Sequence, residues 1–291
     1  MNQKTNPVKP SEQGSLNDSP AETKMSTTVL PERQFSLRGK VYVVTGGGRG
    51  LGLVMAESMT EAGGEVHCLD RLREPDPEFL ATQDLANREH VGSLHYHHLD
   101  VRDSEYLQET ISKIAKRNNR LDGLVAAAGV LQHTDAIDYT AEDVTKTMDI
   151  NYTGLFMTAQ AVAKQMMEYD CGGSIVLVAS MSGLIANKGM NAPVYNSSKA
   201  AVIQLGRNLA MEWGKKGIRV NSLCPGHILT PMVEQTFKEI DGLRHTWESE
   251  NMLGRLATPE EFTGATIFLL SEASRFMTGS SLVIDGGHTA W

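Results

Sequence analysis

Short runs rich in β-branched and apolar residues alternate with segments of helical spacing from residue 40 onward, and this alternation restricts the fold more than any other feature. In a typical helical segment, the apolar residues Leu51, Val54 and Met55 recur at three- and four-residue spacing. Parallel strands need a crossover, usually a helix, between one strand and the next. We therefore predict an α/β fold, a doubly wound parallel seven-stranded sheet with helices on both faces. The predicted strands are Val41–Thr45, Glu65–Asp70, Leu94–Leu99, Leu121–Ala127, Ser174–Ala179, Arg219–Cys224 and Ser281–Ile284.

Composition excludes several classes of protein. The 27 Lys and Arg residues against 35 Asp and Glu give a net charge of −8, and no basic stretch stands out, so we expect no nucleic-acid partner. No apolar run reaches the roughly 18 residues of a membrane-spanning helix, so we expect no membrane partner. The 3 cysteines are widely spaced, which fits neither a disulfide framework nor a Cys-x-x-Cys metal site. A reducing, cytoplasmic location is therefore predicted.

The chain divides into a tail and one domain. Residues 1–35 are rich in polar residues and proline, lack apolar periodicity, and are predicted to be disordered. Residues 36–291 contain no Pro-, Gly- or Ser-rich linker and no internal repeat, so we predict a single domain.

A glycine-rich turn joins the first predicted strand to the first long helix. It has the form T-G-x-x-x-G-x-G, beginning at Thr45, rather than the common G-x-G-x-x-G. Glycines let the backbone approach a pyrophosphate, which then lies at the positive end of the helix dipole. The turn predicts a dinucleotide site that includes Gly46, Arg49, Gly50, Leu51 and Gly52.

The end of the second strand bears on the choice of dinucleotide. Asp70 lies about 20 residues beyond the turn, where a carboxylate accepts hydrogen bonds from the adenosine ribose hydroxyls. This favours NAD, because a 2′-phosphate would face a negative charge. Arg71 and Arg49 favour NADP instead, since either side chain can pair with that phosphate. We predict NAD, with NADP as the alternative.

A tyrosine and a lysine form the candidate catalytic pair. Tyr195 and Lys199 are four positions apart at the start of an apolar helical stretch, so both side chains lie on one face of the helix. An ammonium beside a phenol favours the phenolate, which predicts a Tyr195 pKa lowered from about 10 toward neutral pH. A general acid/base needs such a pKa.

With these motifs the chain strongly resembles the short-chain dehydrogenase/reductase family from residue 38 to 291. The motifs that carry the resemblance occur in the family's order: Thr45-Gly46-x-x-x-Gly50-x-Gly52, Leu99-Asp100-Val101, Ala126-Ala127-Ala128-Gly129, Asn151, the serine strand, Tyr195-x-x-x-Lys199 and Pro225-Gly226. The resemblance implies a Rossmann-type fold. One departure is Ala126, where the family usually has asparagine.

The resemblance also implies roles for individual residues. Tyr195 would exchange a proton with the substrate oxygen, and Lys199 would tune Tyr195 and hold the nicotinamide ribose. Asn151 would position a water that continues the proton relay. Cofactor contacts are further implied for Asp100, Val101, Ala128, Gly129, Pro225, Gly226, Ile228 and Thr230.

The catalytic serine has two candidates at the end of the fifth strand. Ser182 lies 13 residues before Tyr195, a gap that many family members show. Ser180 matches the family when the strand and Gly183 are aligned instead. We favour Ser180, because strand register fixes the direction of a side chain whereas loop length varies.

The function implied by the resemblance is NAD(P)-dependent interconversion of a secondary alcohol and a ketone. The chain looks most like fungal sugar-alcohol dehydrogenases, which suggests a polyol or ketose, with a terpenoid or polyketide metabolite as the alternative. Residues 227–256 resemble a mobile lid over the substrate. Two alternative functions are not enzymatic: a non-catalytic dinucleotide sensor and a structural oligomer. The presence of Tyr195 and Lys199 disfavours both.

A homotetramer is expected from the resemblance and from two sequence features. The final strand should lie at a sheet edge, and the helices around Asp143–Tyr169 and Val194–Trp213 carry apolar residues on more than one face. These residues include Val162, Met166, Leu205, Leu209 and Trp213. No metal site is predicted, because His95 and His97 should point to one face of their strand, His98 to the other, and no acidic or cysteine partner joins them at ligand spacing.

Overall fold

The structure, a computed structural model, describes residues 31–291 except 90, 231–232, 235–236 and 239–240. The disorder predicted for residues 1–30 lies outside the described residues. The last part of the predicted tail does have structure, because Pro31–Gln34 form a short helix, α1.

Seven parallel strands form one sheet in the order β3-β2-β1-β4-β5-β6-β7, as predicted. The order reverses between β1 and β4, and in open α/β sheets ligands bind in the crevice at such a point. Predicted and observed strand ends differ by at most two residues. The strands are β1 Val41–Thr45, β2 Glu65–Asp70, β3 Ser93–His98, β4 Gly123–Ala126, β5 Gly173–Val178, β6 Ile218–Pro225 and β7 Ser281–Ile284.

Helices cover both faces of this sheet. After α1 they are α2 Gly50–Glu61, α3 Pro77–Glu89, α4 Ser104–Asn118, α5 Ala141–Met148, α6 Leu155–Glu168, α7 Pro193–Trp213, α8 Leu243–Ser249 and α9 Thr263–Leu270. A π-helical turn, Asp149–Gly154, joins α5 to α6 without a break. Among the described helices, none combines the length and the apolar character needed to cross a membrane.

The core has two layers, one on each face of the sheet. Side chains alternate along a strand, so neighbours such as Val43 and Val44 in β1 belong to opposite layers. One layer packs α4, α6 and α7 against the sheet, and the other packs α2 and α9. The strand ends that carry the candidate site are held between these layers.

The apolar helix faces need one correction. Val162, Met166, Leu205 and Leu209 are buried within the single chain, so most of the residues that suggested a second apolar face pack on the chain's own sheet. The exposed apolar residues of α6 and α7 are instead Met167 and Met211, at 38% and 70% exposure.

The predicted sheet edge is confirmed, because β7 is the last strand in the order. Val283 in this strand is 36% exposed. An edge of this kind offers unpaired backbone groups to another chain.

Candidate active site

The glycine turn forms a close backbone loop at the end of β1. Gly46 and Gly50 have φ angles of +69° and +56°, a region that favours glycine. A Cβ placed on Gly52 would lie 2.2 Å from the carbonyl oxygen of Gly46, so no larger residue fits without a shift of the backbone. The spacing T-G-x-x-x-G-x-G therefore has a steric cause.

The beginning of α2 suits a pyrophosphate. Arg49 is the N-cap residue, its side chain makes no capping hydrogen bond, and the first turn contains no acidic residue. The helix N-terminus thus keeps its amide donors and its positive dipole end for an anion. Gly46, Gly50, Leu51 and Gly52 lie where the sequence predicts, and their geometry fits a dinucleotide phosphate.

Asp70 ends β2 directly beside the turn. One carboxylate oxygen accepts a hydrogen bond from the Gly48 amide at 3.1 Å, and the other accepts one from the Leu72 amide at 3.1 Å. These two bonds fix the carboxylate at the edge of the glycine loop. Arg71 and Arg49 are both exposed and lie at the same edge of the sheet.

Asp100 and Val101 follow β3. The Asp100 carboxylate forms a bidentate ion pair with Arg102, with a shortest N–O distance of 2.6 Å, and this pairing lowers the Asp100 pKa. Val101 is buried, and its side chain fills the space beside Gly154 of the π-helical turn. Because the Asp100 carboxylate is engaged, we expect an adenine contact from its backbone rather than from its side chain.

Asn151 holds the loop that follows β4. Its side-chain oxygen accepts a hydrogen bond from the Val130 amide at 2.8 Å, and its side-chain nitrogen donates to the Val130 carbonyl at 2.9 Å and to Ser198 Oγ at 3.0 Å. Both N–H donors of the side chain are therefore used within the protein. The predicted water contact would have to come from the oxygen or from the backbone of this π-helical turn, a feature common at functional sites.

Gly129 lies where Asn151 and Lys199 meet. A Cβ on Gly129 would lie 3.4 Å from Asn151 Oδ1 and 3.6 Å from Lys199 Nζ. Next to it, the Ala128 amide donates a hydrogen bond to Thr45 Oγ1 at 3.3 Å. The predicted contacts after β4 and the predicted catalytic residues thus share one location.

Lys199 is buried in the first part of α7. Its ammonium donates a hydrogen bond to the Val178 carbonyl at 2.8 Å, and Nζ lies 5.6 Å from the centroid of the Tyr195 ring. Burial lowers the Lys199 pKa to about 8. The sequence contains no signal for the Val178 partner, because a backbone carbonyl carries no residue preference.

The pKa predicted for Tyr195 is wrong for the chain as it stands. Burial raises the pKa of this phenol above its usual value, and Ser180 offsets that rise only in part. Lys199 is directed to Val178 rather than to the phenol oxygen. Tyr195 therefore holds its proton at neutral pH, which is the state required of a proton donor to a ketone.

The two candidate serines have different surroundings. Ser180 ends the extended segment after β5, its Oγ accepts a hydrogen bond from the Ser182 amide at 3.1 Å, and it is the side chain that lowers the Tyr195 pKa. Ser182 is buried in the following 3₁₀ turn, Met181–Gly183. This geometry favours Ser180 as the partner of Tyr195.

The segment after β6 closes the far side of the site. Pro225 ends the strand, and the Gly226 amide donates to the Ile284 carbonyl at 2.8 Å. A Cβ on Gly226 would lie 2.6 Å from Asp285 Cα, so the two segments are in close contact. Ile228 then forms a β-bridge with Ala257.

Thr230 begins the predicted lid. Its Oγ1 accepts a hydrogen bond from the Val233 amide at 3.3 Å, which caps the chain where it turns away from the sheet. The lid predicted over residues 227–256 contains the helix α8. Residues 231–232, 235–236 and 239–240 of this lid lie outside the described residues.

Sequence and structural comparisons bear on this arrangement. A protein-family model described as "Enoyl-(Acyl carrier protein) reductase" matches residues 46–289. A short-chain dehydrogenase/reductase of Aspergillus versicolor is 39% identical over 262 residues, which covers 88% of this chain and 89% of that protein. The chain belongs to the short-chain dehydrogenase/reductase family. It is therefore an NAD(P)-dependent oxidoreductase that interconverts a secondary alcohol and a ketone by hydride transfer.

Two further relatives carry names that describe enzymes of sugar-derived compounds. The D-arabinitol 2-dehydrogenase (ribulose-forming) of Scheffersomyces stipitis is 35% identical over 267 residues, covering 88% of this chain and 96% of that protein. The NADH-dependent L-xylulose reductase of Ambrosiozyma monospora is 35% identical over 274 residues, covering 91% and 100%.

A solved structure supports the fold of this family member. The short-chain type dehydrogenase/reductase from Mycobacterium marinum superimposes with a TM-score of 0.79 at 34% sequence identity, covering 89% of this chain and 98% of that chain. The doubly wound sheet predicted from the sequence is thus the fold of a known family structure.

Proposed function

We propose that this enzyme interconverts a polyol and the corresponding ketose, with Tyr195 as the general acid/base. The arrangement of Ser180 and Lys199 around the half-buried Tyr195 phenol carries the chemical part of this proposal. The similarity to a D-arabinitol 2-dehydrogenase and an L-xylulose reductase supports the substrate class.

Each residue has a distinct part in the reaction. In reduction, Tyr195 donates its proton to the ketone oxygen, and a bound nicotinamide cofactor would supply the hydride. In oxidation, the deprotonated form of Tyr195 would accept the alcohol proton, and the oxidised cofactor would take the hydride. Ser180 holds the substrate oxygen beside the phenol by a hydrogen bond. Lys199 contributes positive charge and a donor next to the cofactor ribose, and its lowered pKa of about 8 makes it able to pass protons near neutral pH.

Asn151 supports this site mainly through the Val130 loop. Its two-way hydrogen bonding to Val130 fixes the chain next to Gly129, where the cofactor backbone contacts are expected. The relay water would then be held by its remaining acceptor capacity.

NAD is the proposed cofactor. Asp70 supports this, because a carboxylate held by two amides at the edge of the glycine loop can accept from ribose hydroxyls and repels a 2′-phosphate. Arg49 and Arg71 are exposed, and either side chain could pair with a 2′-phosphate, which keeps NADP as the alternative.

The proposed reaction is tested with a panel of polyols, ketoses and cyclic secondary alcohols, assayed with NAD(H) and NADP(H). Tyr195→Phe removes the proton donor with little change in volume, so turnover should fall by about 10²- to 10⁴-fold while the fold and cofactor binding survive. Tyr106→Phe is the matched control, because Tyr106 lies exposed on α4. Activity on none of the polyols or ketoses, with activity on cyclic alcohols, would contradict the substrate class and leave the chemistry standing.

A homotetramer in the cytoplasm is also proposed. A groove of about 310 Å³ between α6 and α7, lined in part by Phe156, Leu205 and Trp213, supports one interface, and the exposed β7 edge supports another. Three free cysteines, of which Cys68 and Cys224 are buried, suit a reducing compartment. Light scattering after size exclusion tests the assembly: a mass near 31.8 kDa would contradict it.

A further inference from the structure

Two histidines and a glutamate from separate segments meet at the predicted lid, residues 227–256. His227 follows β6, Glu250 follows α8, and His288 follows β7 near the end of the chain. Each residue offers one ligand atom, and these three atoms lie within 4.8 Å of one another. The tertiary fold alone creates this cluster, because the residues are far apart in sequence.

Packing holds the two imidazole rings in place. The His227 ring stacks on Trp247 of α8, with 4.0 Å between ring centroids and 9° between planes. The His288 ring meets His227 edge-on, with centroids 5.4 Å apart and an interplanar angle of 87°. Stacking on Trp247 occupies one face of the His227 ring and leaves its nitrogens, which lie at the ring edge, for other contacts.

One nitrogen of the cluster lacks a partner. His288 Nδ1 is buried, and within the described part of the chain it has no hydrogen-bond partner. A buried polar atom without a partner is costly, and such atoms are few in native proteins. Because His288 belongs to the cluster, a ligand from outside the protein would satisfy this nitrogen.

A second cluster in the same molecule shows the contrast. Glu65, His67 and His95 also offer three ligand atoms within 4.8 Å of one another. There, however, His67 is hydrogen-bonded to Glu65 at 2.9 Å and to His97 at 2.9 Å, and His95 is hydrogen-bonded to Ser93 at 3.1 Å. These groups satisfy each other, so this cluster is explained by the protein alone.

We propose that His227, Glu250 and His288 form a site for a divalent transition metal of the zinc class. Two imidazoles and one carboxylate are donors that suit zinc, and sites with three protein ligands keep a further position for water or a substrate oxygen. The proposal departs from the expectation from the sequence that the chain binds no metal. It uses none of the residues of the Tyr195 proton chemistry and does not rest on the proposed substrate.

Metal binding at this site links three parts of the molecule. It joins Glu250 at the end of the lid helix to the segment after β6 and to the C-terminal segment after β7. The Leu253 amide already donates to the Gly286 carbonyl at 3.2 Å, so these segments are neighbours before any metal binds. The metal would restrain the lid, and we expect it to raise the unfolding temperature.

The test uses the untagged full-length chain, treated with a chelator, dialysed, and titrated with Zn²⁺ against a chromophoric indicator. We expect one tight equivalent per chain. Glu250→Gln and His288→Ala should each weaken binding by at least about 10- to 100-fold, the loss seen even when residues behind a metal ligand are changed. Circular dichroism establishes that each variant is folded, and Glu250→Gln keeps the shape of the side chain.

Two controls decide whether the site is the one proposed. His245→Ala removes an exposed histidine from the same lid helix, and His95→Ala removes one from the second cluster; neither should change the affinity. Absence of a tight equivalent, or its retention in both Glu250→Gln and His288→Ala, would overturn the proposal. Loss of the tight equivalent in His95→Ala alone would place the metal at the second cluster and overturn it equally. Tyr195→Phe should bind Zn²⁺ normally, which separates this result from the proposed function.

Discussion

The two sides of the crevice are shaped by different means. On the cofactor side, β1, β2 and the start of α2 form a loop whose shape depends on missing side chains, since a Cβ on Gly52 would meet the Gly46 carbonyl at 2.2 Å. On the catalytic side, β5, α7 and the π-helical turn position Lys199 and Asn151 through hydrogen bonds to backbone groups of Val178 and Val130. Glycine patterns are visible in a sequence, whereas backbone partners are not.

The largest expected effect tests the catalytic side. Lys199→Met removes the ammonium and keeps the length of the side chain, so kcat should fall about 10²- to 10⁴-fold. Stability at pH 7 should change much less, because burial lowers the Lys199 pKa to about 8 and its charge is therefore costly, which offsets the lost bond to Val178. Steady-state kinetics and urea unfolding measure the two effects.

Lys116→Met serves as the control for that variant, because Lys116 lies exposed on α4. If Lys199→Met lost most of its stability but kept most of its turnover, Lys199 would be a structural residue. That result would contradict the catalytic role given to this side of the crevice.

The next effect concerns acid stability on the cofactor side. Burial lowers the His67 pKa from 6.5 to about 4, so between these values the unfolded chain binds a proton that the folded chain does not. The free energy of unfolding should therefore fall as pH drops from 6.5 to 4, by roughly 2 to 3 kcal/mol. Glu65, whose pKa is lowered by its bonds to His67 and Asn118, acts in the same direction at lower pH.

Urea unfolding of His67→Asn across this pH range provides the measurement. The variant should show a flatter pH profile than the wild type. His98→Asn, at an exposed position of the neighbouring strand, should keep the wild-type slope. An unchanged slope in His67→Asn would show that other groups cause the acid sensitivity.

A smaller effect tests the steric basis of the glycine loop. Gly52→Ala forces the backbone of Gly46 to move, so we expect an unfolding free energy about 2 kcal/mol lower and cofactor binding weakened about 10- to 100-fold. Isothermal titration with NADH and urea unfolding give the two quantities.

Gly264→Ala is the matched control, because a Cβ at Gly264 on α9 would meet no atom within 4 Å. That variant should be slightly more stable than the wild type, as alanine is the better helix former. Normal cofactor binding by Gly52→Ala would remove the steric explanation of the cofactor side.

The smallest effect refines the choice of cofactor. Asp70→Asn removes the negative charge that faces a 2′-phosphate, so the ratio of kcat/KM for NAD to that for NADP should fall about 10-fold. Asp84→Asn, exposed on α3, should leave the ratio unchanged. A ratio that favours NADP already in the wild type would show that Arg49 and Arg71 outweigh Asp70.

Much of the fold could be predicted because its local rules are strong. Alternating strands and helices with short connections leave few arrangements besides a doubly wound parallel sheet, and all seven strands lie within two residues of their predicted ends. The pKa of Tyr195 was predicted in the wrong direction, because its rise depends on burial by segments distant in the chain. The burial of Val162 and Met166 was also not predicted, because helical spacing alone could not assign them to the chain's own core.

The sequence by itself determined the individual strands and helices, the glycine loop and the helical turn that places Tyr195 beside Lys199. Each of these features depends on residues that are close together in the chain. Only the tertiary structure decided that Lys199 bonds to Val178, that Asn151 bonds to Val130, and which histidines have partners. Those contacts join segments far apart in the chain, and they follow from how the strands are ordered and the helices packed, which no local pattern encodes.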